Sequence, residues 1–196
     1  PKNNLKQLAL ALHNYADTHK RFPQRNVTDK DGKALLSWRV QLLPFLEAND
    51  LYQQFHLDEP WDSEHNKTLI DKMPVYFTAA GDQELAKQGK TRYVTPANAE
   101  ACLGAKEGTQ FRDIRDGTSN TIMAVEVRTE AAVIWTKPDD IVIDFKNPMK
   151  FLKDARNGSF LAMMCDGSVR LISDKINLET FKALITRDGG EVIGDF

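Results

Sequence analysis

Two short segments hold most of the side chains with which this sequence could do chemistry. In HLDEPWDSEHN, residues 56 to 66, the groups His56, Asp58, Glu59, Asp62, Glu64 and His65 could bind a divalent metal or divide acid and base roles. Their spacing matches no standard metal motif. All four histidines, His13, His19, His56 and His65, fall in the first third, without the i, i+4 pair of a zinc-protease helix. The segment also has a structural reading: Pro60-Trp61 makes a rigid corner, Asp62 or Ser63 caps the next helix, and His65 or Asn66 bonds a neighbouring loop. In DIRDGTSNT, residues 113 to 121, Asp113, Asp116, Ser119 and Asn120 are hard-oxygen ligands suited to calcium. The pattern is not an EF-hand, because the twelfth position counted from Asp113 is Ala124 instead of Glu. Asp116-Gly117 reads more simply as a turn that Ser119 and Asn120 complete before a strand.

Other candidates are weaker. Asp139, Asp140 and Asp144 form a third carboxylate group, beside a Pro138-Asp139 turn. Ser168 follows Gly167 in a hairpin signal and Ser159 follows Gly158, and neither has the spacing of a nucleophile elbow. No catalytic residue is assigned, and the expectation is a protein that is not an enzyme. Trp38, Trp61 and Trp135 could line a carbohydrate or peptide groove through stacking, though each alone is more often a core residue. Cys102 and Cys165 are too few for a zinc site but could form one disulfide outside the cytoplasm. Cys165 falls in an expected strand and Cys102 in a polar loop, so the sequence leaves open whether they meet or stay buried thiols.

At 196 residues the chain can bury a proper core, and it reads as one domain over 1–196. Its 26 basic and 28 acidic side chains give a net charge of -2, which provides no field for nucleic acid. No run of about 18 apolar residues is present to span a bilayer.

The elements that must position these groups follow from periodicity. Leu5, Leu8, Ala9, Leu12, Tyr15 and Ala16 lay an apolar stripe along a helix ending at His19, with Asn3 or Asn4 as candidate N-caps. Residues 38 to 55 read as helical with a break at Pro44, and a short helix runs from Ser63 to Lys72. Strands are expected over 75–78, 92–95, 121–127 and 132–136. Residues 160–165 and 168–172 flank Asp166-Gly167, a signal for a two-residue hairpin with positive φ at Gly167. A last helix runs from Leu178 to Thr186 and stops before Gly189-Gly190. The fold class is α+β: an N-terminal helix packed on an antiparallel β-sheet, with additional short helices and a C-terminal helix.

Five segments occur in a recognisable order: NNLKQLALALHNYADTHKRFP, LLSWRVQLLPFLEANDLYQQFHLDEPWDSEHN, FRDIRDGTSNTIMAVEV, IWTKPDD and FLAMMCDGSVRLIS. In this the chain resembles the DUF1559 family, also called solute-binding protein family 10, which is expanded in planctomycete-type bacteria. Its members usually open with a prepilin-type segment and resemble the pseudopilins of type II secretion. Two departures stand out. Many relatives carry a histidine where this chain has Arg156, and a Cys-Pro pair near the segment that reads VYFTAAGD here.

The resemblance implies a non-enzymatic, pseudopilin-like head domain at the cell envelope or surface, for a filament or secretion-system-like assembly. Its partners would be copies of itself or related pilin-like subunits, met through the N-terminal helix. It would be extracytoplasmic and anchored in the membrane by a segment absent from this sequence, with Lys2, Asn3, Asn4 and Lys6 as a polar collar. Calcium loops in major pseudopilins lend the Asp113 to Asn120 segment its interest. The family's alternate name implies a second class, an extracytoplasmic solute- or carbohydrate-binding module, and a metal-dependent enzyme built on His56 to His65 is a third.

Overall fold

The computed structural model describes residues 2–191, 193 and 196. Its centre is a four-stranded antiparallel sheet made of β4 (Tyr93–Val94), β5 (Ile122–Glu126), β7 (Ser159–Met164) and β8 (Val169–Ser173), hydrogen-bonded in that order. Side chains alternate along β7 and so feed two cores. Leu161 and Met163 join a cluster under the first helix, α1 (Lys2–His19), in which Leu5, Leu8 and Leu12 are fully buried. Phe160, Ala162 and Met164 point the other way, onto Phe181, Leu184 and Ile185 of the last helix, α5 (Leu178–Ile185). The Asn177 side chain caps α5, accepting from the amides of Glu179 and Thr180. In β5 the pairing shifts between Ile122 and Ala124, so Met123 and Ala124 both face α1 while Val125 faces α5.

Two small antiparallel pairs flank this sheet: β1 (Asn26–Thr28) with β2 (Ala34–Ser37), and β3 (Lys90–Thr91) with β6 (Val133–Ile134). Among the described residues the rest is short: α2 (Trp38–Gln41), α3 (Asn49–Tyr52), α4 (Gln83–Lys87) and five 3-10 turns. No helix among the described residues is long and apolar enough to cross a membrane.

The α+β architecture, the helix on the sheet and the terminal helix agree with the sequence reading, while five local expectations need correction. Asn3 and Asn4 are not caps, since both lie inside α1, and the Asn4 amide donates to Val75 O and Thr78 O at 3.0 and 2.8 Å. Residues 75–78 form no strand: Val75–Phe77 is a 3-10 turn after Pro74. Its carbonyls bond Asn4 and the Thr91 hydroxyl instead of a ladder. Residues 38 to 55 make α2, a 3-10 turn at Leu43–Phe45 containing Pro44, and α3, with Glu47 at φ 55° between the last two. Likewise the stretch after Ser63 is a 3-10 helix, Asn66–Lys72, whose Asn66 amide donates to the Ser63 hydroxyl.

The fifth correction concerns the β7–β8 turn. Gly167 does have positive φ, 86°, but Asp166 does not, so the type I′ turn is excluded. Gly167 N donates to Met164 O and Met164 N to Ser168 O, which closes a three-residue loop through Cys165, Asp166 and Gly167. This is a type I turn followed by a glycine bulge. Cys165 therefore lies in the turn and not in the strand.

Candidate functional site

The segment 56–66 is organised by one buried amide. Asn66 is fully buried. Its Oδ1 accepts from the His56 amide at 3.0 Å, and its Nδ2 faces the carbonyls of His56, Glu59 and Pro60 at 2.9, 3.2 and 3.1 Å. Trp61 N donates to Leu35 O, which docks the corner on β2. Around this frame the titratable groups diverge. His56 and His65 lie face to face, 3.6 Å between ring centroids and 3° from parallel, so their in-plane lone pairs cannot meet on one ion. His56 Nδ1 pairs with Glu59 Oε1 at 3.0 Å, His65 Nε2 donates to Gln54 O, and Glu64 pairs with Lys67. Hydrogen bonds from Ser63 and His56 hold the exposed Glu59 carboxyl below its ordinary range.

The residues proposed for calcium hold the chain instead. Asp116 receives the amides of Gly189 and Gly190 on its two oxygens, at 2.7 and 2.8 Å. Asp113 receives the Gln110 amide, and the Asn120 amide donates to Asp116 O. Ser119 sits in the turn between them. Among the described residues no three His, Cys, Asp or Glu side chains converge on a point that could hold a metal.

The tryptophan groove does not form either. Trp38 and Trp135 are fully buried, their indoles donating to Asp140 Oδ1 and Ile70 O, and only Trp61 keeps a partly open face, beneath Lys137. Tryptophan supplies large apolar area at little entropic cost, so burial is its commoner use. A shallower aromatic hollow of about 270 Å³ lies elsewhere, lined by Tyr15, His19, Gln41, Pro44, Phe45 and Tyr52. Its Tyr15 and His19 rings stack at 4.0 Å with Phe45 edge-on. The helical i, i+4 spacing of Tyr15 and His19 was the sequence signal for it.

The strongest electrostatics is internal. Arg39, fully buried on α2, reaches Asp140 Oδ1 at 2.8 Å, Tyr93 O through Nε and Nη2, and the Ser37 hydroxyl. Asp140 Oδ1 also accepts from Thr95 N, while Oδ2 has no hydrogen-bond partner among the described residues. Burial outweighs the pairing on both sides, pushing the Asp140 carboxyl up and the Arg39 guanidinium down from their usual ranges. A second knot surrounds the fully buried Glu126: Arg156 donates twice to Oε2 at 3.1 Å, and Arg92 Nη2 lies 3.0 Å from Oε1. Arg156 is thus a charge partner of the core. Asp139 and Asp144 lead away, to Lys137 and to the Lys146 amide, so the third carboxylate group is also dispersed. Ser159 donates to Arg156 O.

These contacts define an α+β domain in which the buried polar groups described above tie loops to a helix-covered sheet. The family model described as a protein of unknown function, DUF1559, matches residues 2–146, and the chain belongs to that family. No curated protein and no solved structure matches it.

Proposed function

We propose that this domain is the extracytoplasmic head of a non-enzymatic, pseudopilin-like envelope subunit. In this reading α1 continues upstream into a membrane segment and packs with copies of itself or of related subunits. The observation that carries the reading is α1 itself, an 18-residue helix whose Leu5, Leu8 and Leu12 side is buried on the sheet while Lys6, Leu10, Asn14 and Asp17 lie on an exposed side. The face of α1 away from the sheet is polar apart from Leu10, which is 55% exposed and suits contact with a neighbouring helix. No cofactor, calcium included, is needed for this role, and the net charge of -2 favours no nucleic acid partner.

The test is cysteine cross-linking in the full-length product within its own envelope, scanning Lys6, Leu10, Asn14 and Asp17 on the open face. Expected are disulfide-linked dimers at one or more positions, absent from the isolated domain at equal concentration. Monomers at all four positions would count against the reading. The aromatic hollow favours a second one, a solute- or carbohydrate-binding module, for which Tyr52→Ala should abolish binding of a stacking sugar in titration calorimetry.

A further inference from the structure

We propose that Cys102 and Cys165 are joined by a disulfide in the mature protein. The two residues are 63 apart in the chain, yet their Sγ atoms lie 2.8 Å from one another, and both side chains are fully buried. Each position is fixed independently of the other. Cys165 N donates to Thr121 O, and Cys165 O accepts from His13 Nε2 at 2.9 Å, so the turn after β7 is tied to both the sheet and α1. Cys102 O accepts from the Thr109 hydroxyl, whose residue in turn accepts the Phe22 amide through its carbonyl.

What the bond would fasten is the segment from 97 to 110, which contains no helix or strand of its own. It crosses the end of α1 as a loop, the kind of segment whose ordering costs most conformational entropy. A bridge to the hairpin turn removes much of that freedom from the unfolded chain. The chemistry is thiol–disulfide exchange with a donor disulfide, either a small molecule or an oxidoreductase. One cysteine thiolate attacks the donor, releasing one donor thiol and leaving a mixed disulfide. The second thiolate attacks that bond, forms the Cys102–Cys165 bond and releases the second donor thiol. The two cysteines lose two electrons and two protons, which the two donor thiols carry away.

Burial pushes the Cys165 thiol well up from its ordinary range, so the thiolate is scarce once the core has closed. The exchange therefore belongs to folding, and the finished bond is shielded from reductant. This inference needs an oxidising compartment but not the assembly proposed above, and it can fail without it.

The experiment is to refold the chain in mixed reduced and oxidised glutathione, confirm native circular dichroism, then denature it in guanidinium with iodoacetamide and no reductant. The expected intact mass carries no alkyl group and is lower by two hydrogens. Proteolytic fragments containing residues 102 and 165 should migrate together until reductant is added. The oxidised protein should melt about 10 °C above the reduced one, the size that closing a loop of this length implies. The Cys102→Ala/Cys165→Ala variant should melt with the reduced form. Two alkylated thiols on natively refolded protein, or a double variant that melts with the oxidised form, would overturn the assignment.

Discussion

Replacing Asn66 by alanine should cost more stability than any change among the titratable side chains of the segment it anchors. The structure supplies the magnitude. Asn66 satisfies the His56 amide and faces three backbone carbonyls, all from a fully buried position. Its amide has two hydrogens, so with the His56 amide on its oxygen it contributes three strong bonds, each worth about 1 kcal/mol net, and truncation leaves the part-buried His56 amide without that acceptor. The sum is about 3 kcal/mol, or a fall of roughly 10 °C in melting temperature for a chain of this size. His56→Ala removes only an exposed pairing with Glu59, of a kind worth roughly 0–1 kcal/mol. Asn66→Asp should be at least as harmful as alanine, because it places a carboxylate against three carbonyls. Urea unfolding of the wild type and these three variants, with m checked for constancy, reads the difference directly. If Asn66→Ala falls within about 1 kcal/mol of wild type, or His56→Ala costs as much, then the segment is not built as described and its histidines need another explanation.

Three further outcomes follow from the same geometry. Gly167→Ala should cost about 1 kcal/mol by urea unfolding, since φ is 86° while the added carbon would meet only His13 and Ala9 at 3.7 and 3.8 Å. Gly32→Ala should cost the same, because its turn is closed by the same bond pattern; a large difference between the two would refute that equivalence. Asp140→Ala should destabilise by about 3–5 kcal/mol by stranding the Arg39 charge, whereas Arg39→Met/Asp140→Leu should lie closer to wild type than either single change; additive losses would contradict this. Burial, and then the Glu126 charge, push the Tyr93 phenol above its ordinary range. Below about pH 10 folded and unfolded chains both keep that proton, and above it only the unfolded chain gives it up, so stability should fall as pH rises. Urea midpoints at about pH 9 and pH 11 should show a smaller fall for Tyr93→Phe; equal falls would remove Tyr93 as a source.

What was legible in the sequence depended on how local the cause was. The α1 stripe, the β7–β8 pair and the span of α5 are written in neighbouring residues, and they formed where local signals put them. The Asp-Gly pair closes a hairpin twice. Asp31-Gly32 closes the β1–β2 hairpin with the bonds seen around Asp166-Gly167, but strands as short as Asn26–Thr28 gave no alternation to frame it. The 75–78 stretch has β-forming residues, yet contacts from Asn4 and Thr91, far away in sequence, take its carbonyls. The polar candidates were visible as types but not as partners. Nothing near Asp140 announces Arg39, and nothing near Glu126 announces Arg92 and Arg156. The same letters that suggested metal or acid-base chemistry therefore resolve into caps, turns and buried pairs only once the chain is folded. Asn66 was the exception, since a loop-bonding role could be read from the Pro-Trp corner beside it.

The central claim is that α1 continues into a membrane anchor, and the mature native product decides it most directly. Its amino-terminal sequence and intact mass, taken from the protein purified out of its own envelope, should reveal about 20 mostly apolar residues shortly before Pro1, enough to cross the bilayer core. The gene should encode a short basic leader and a processing site ahead of them. A native product whose upstream residues are polar, or which partitions away from the membrane fraction at full length, would contradict the account and leave the binding module as the better reading.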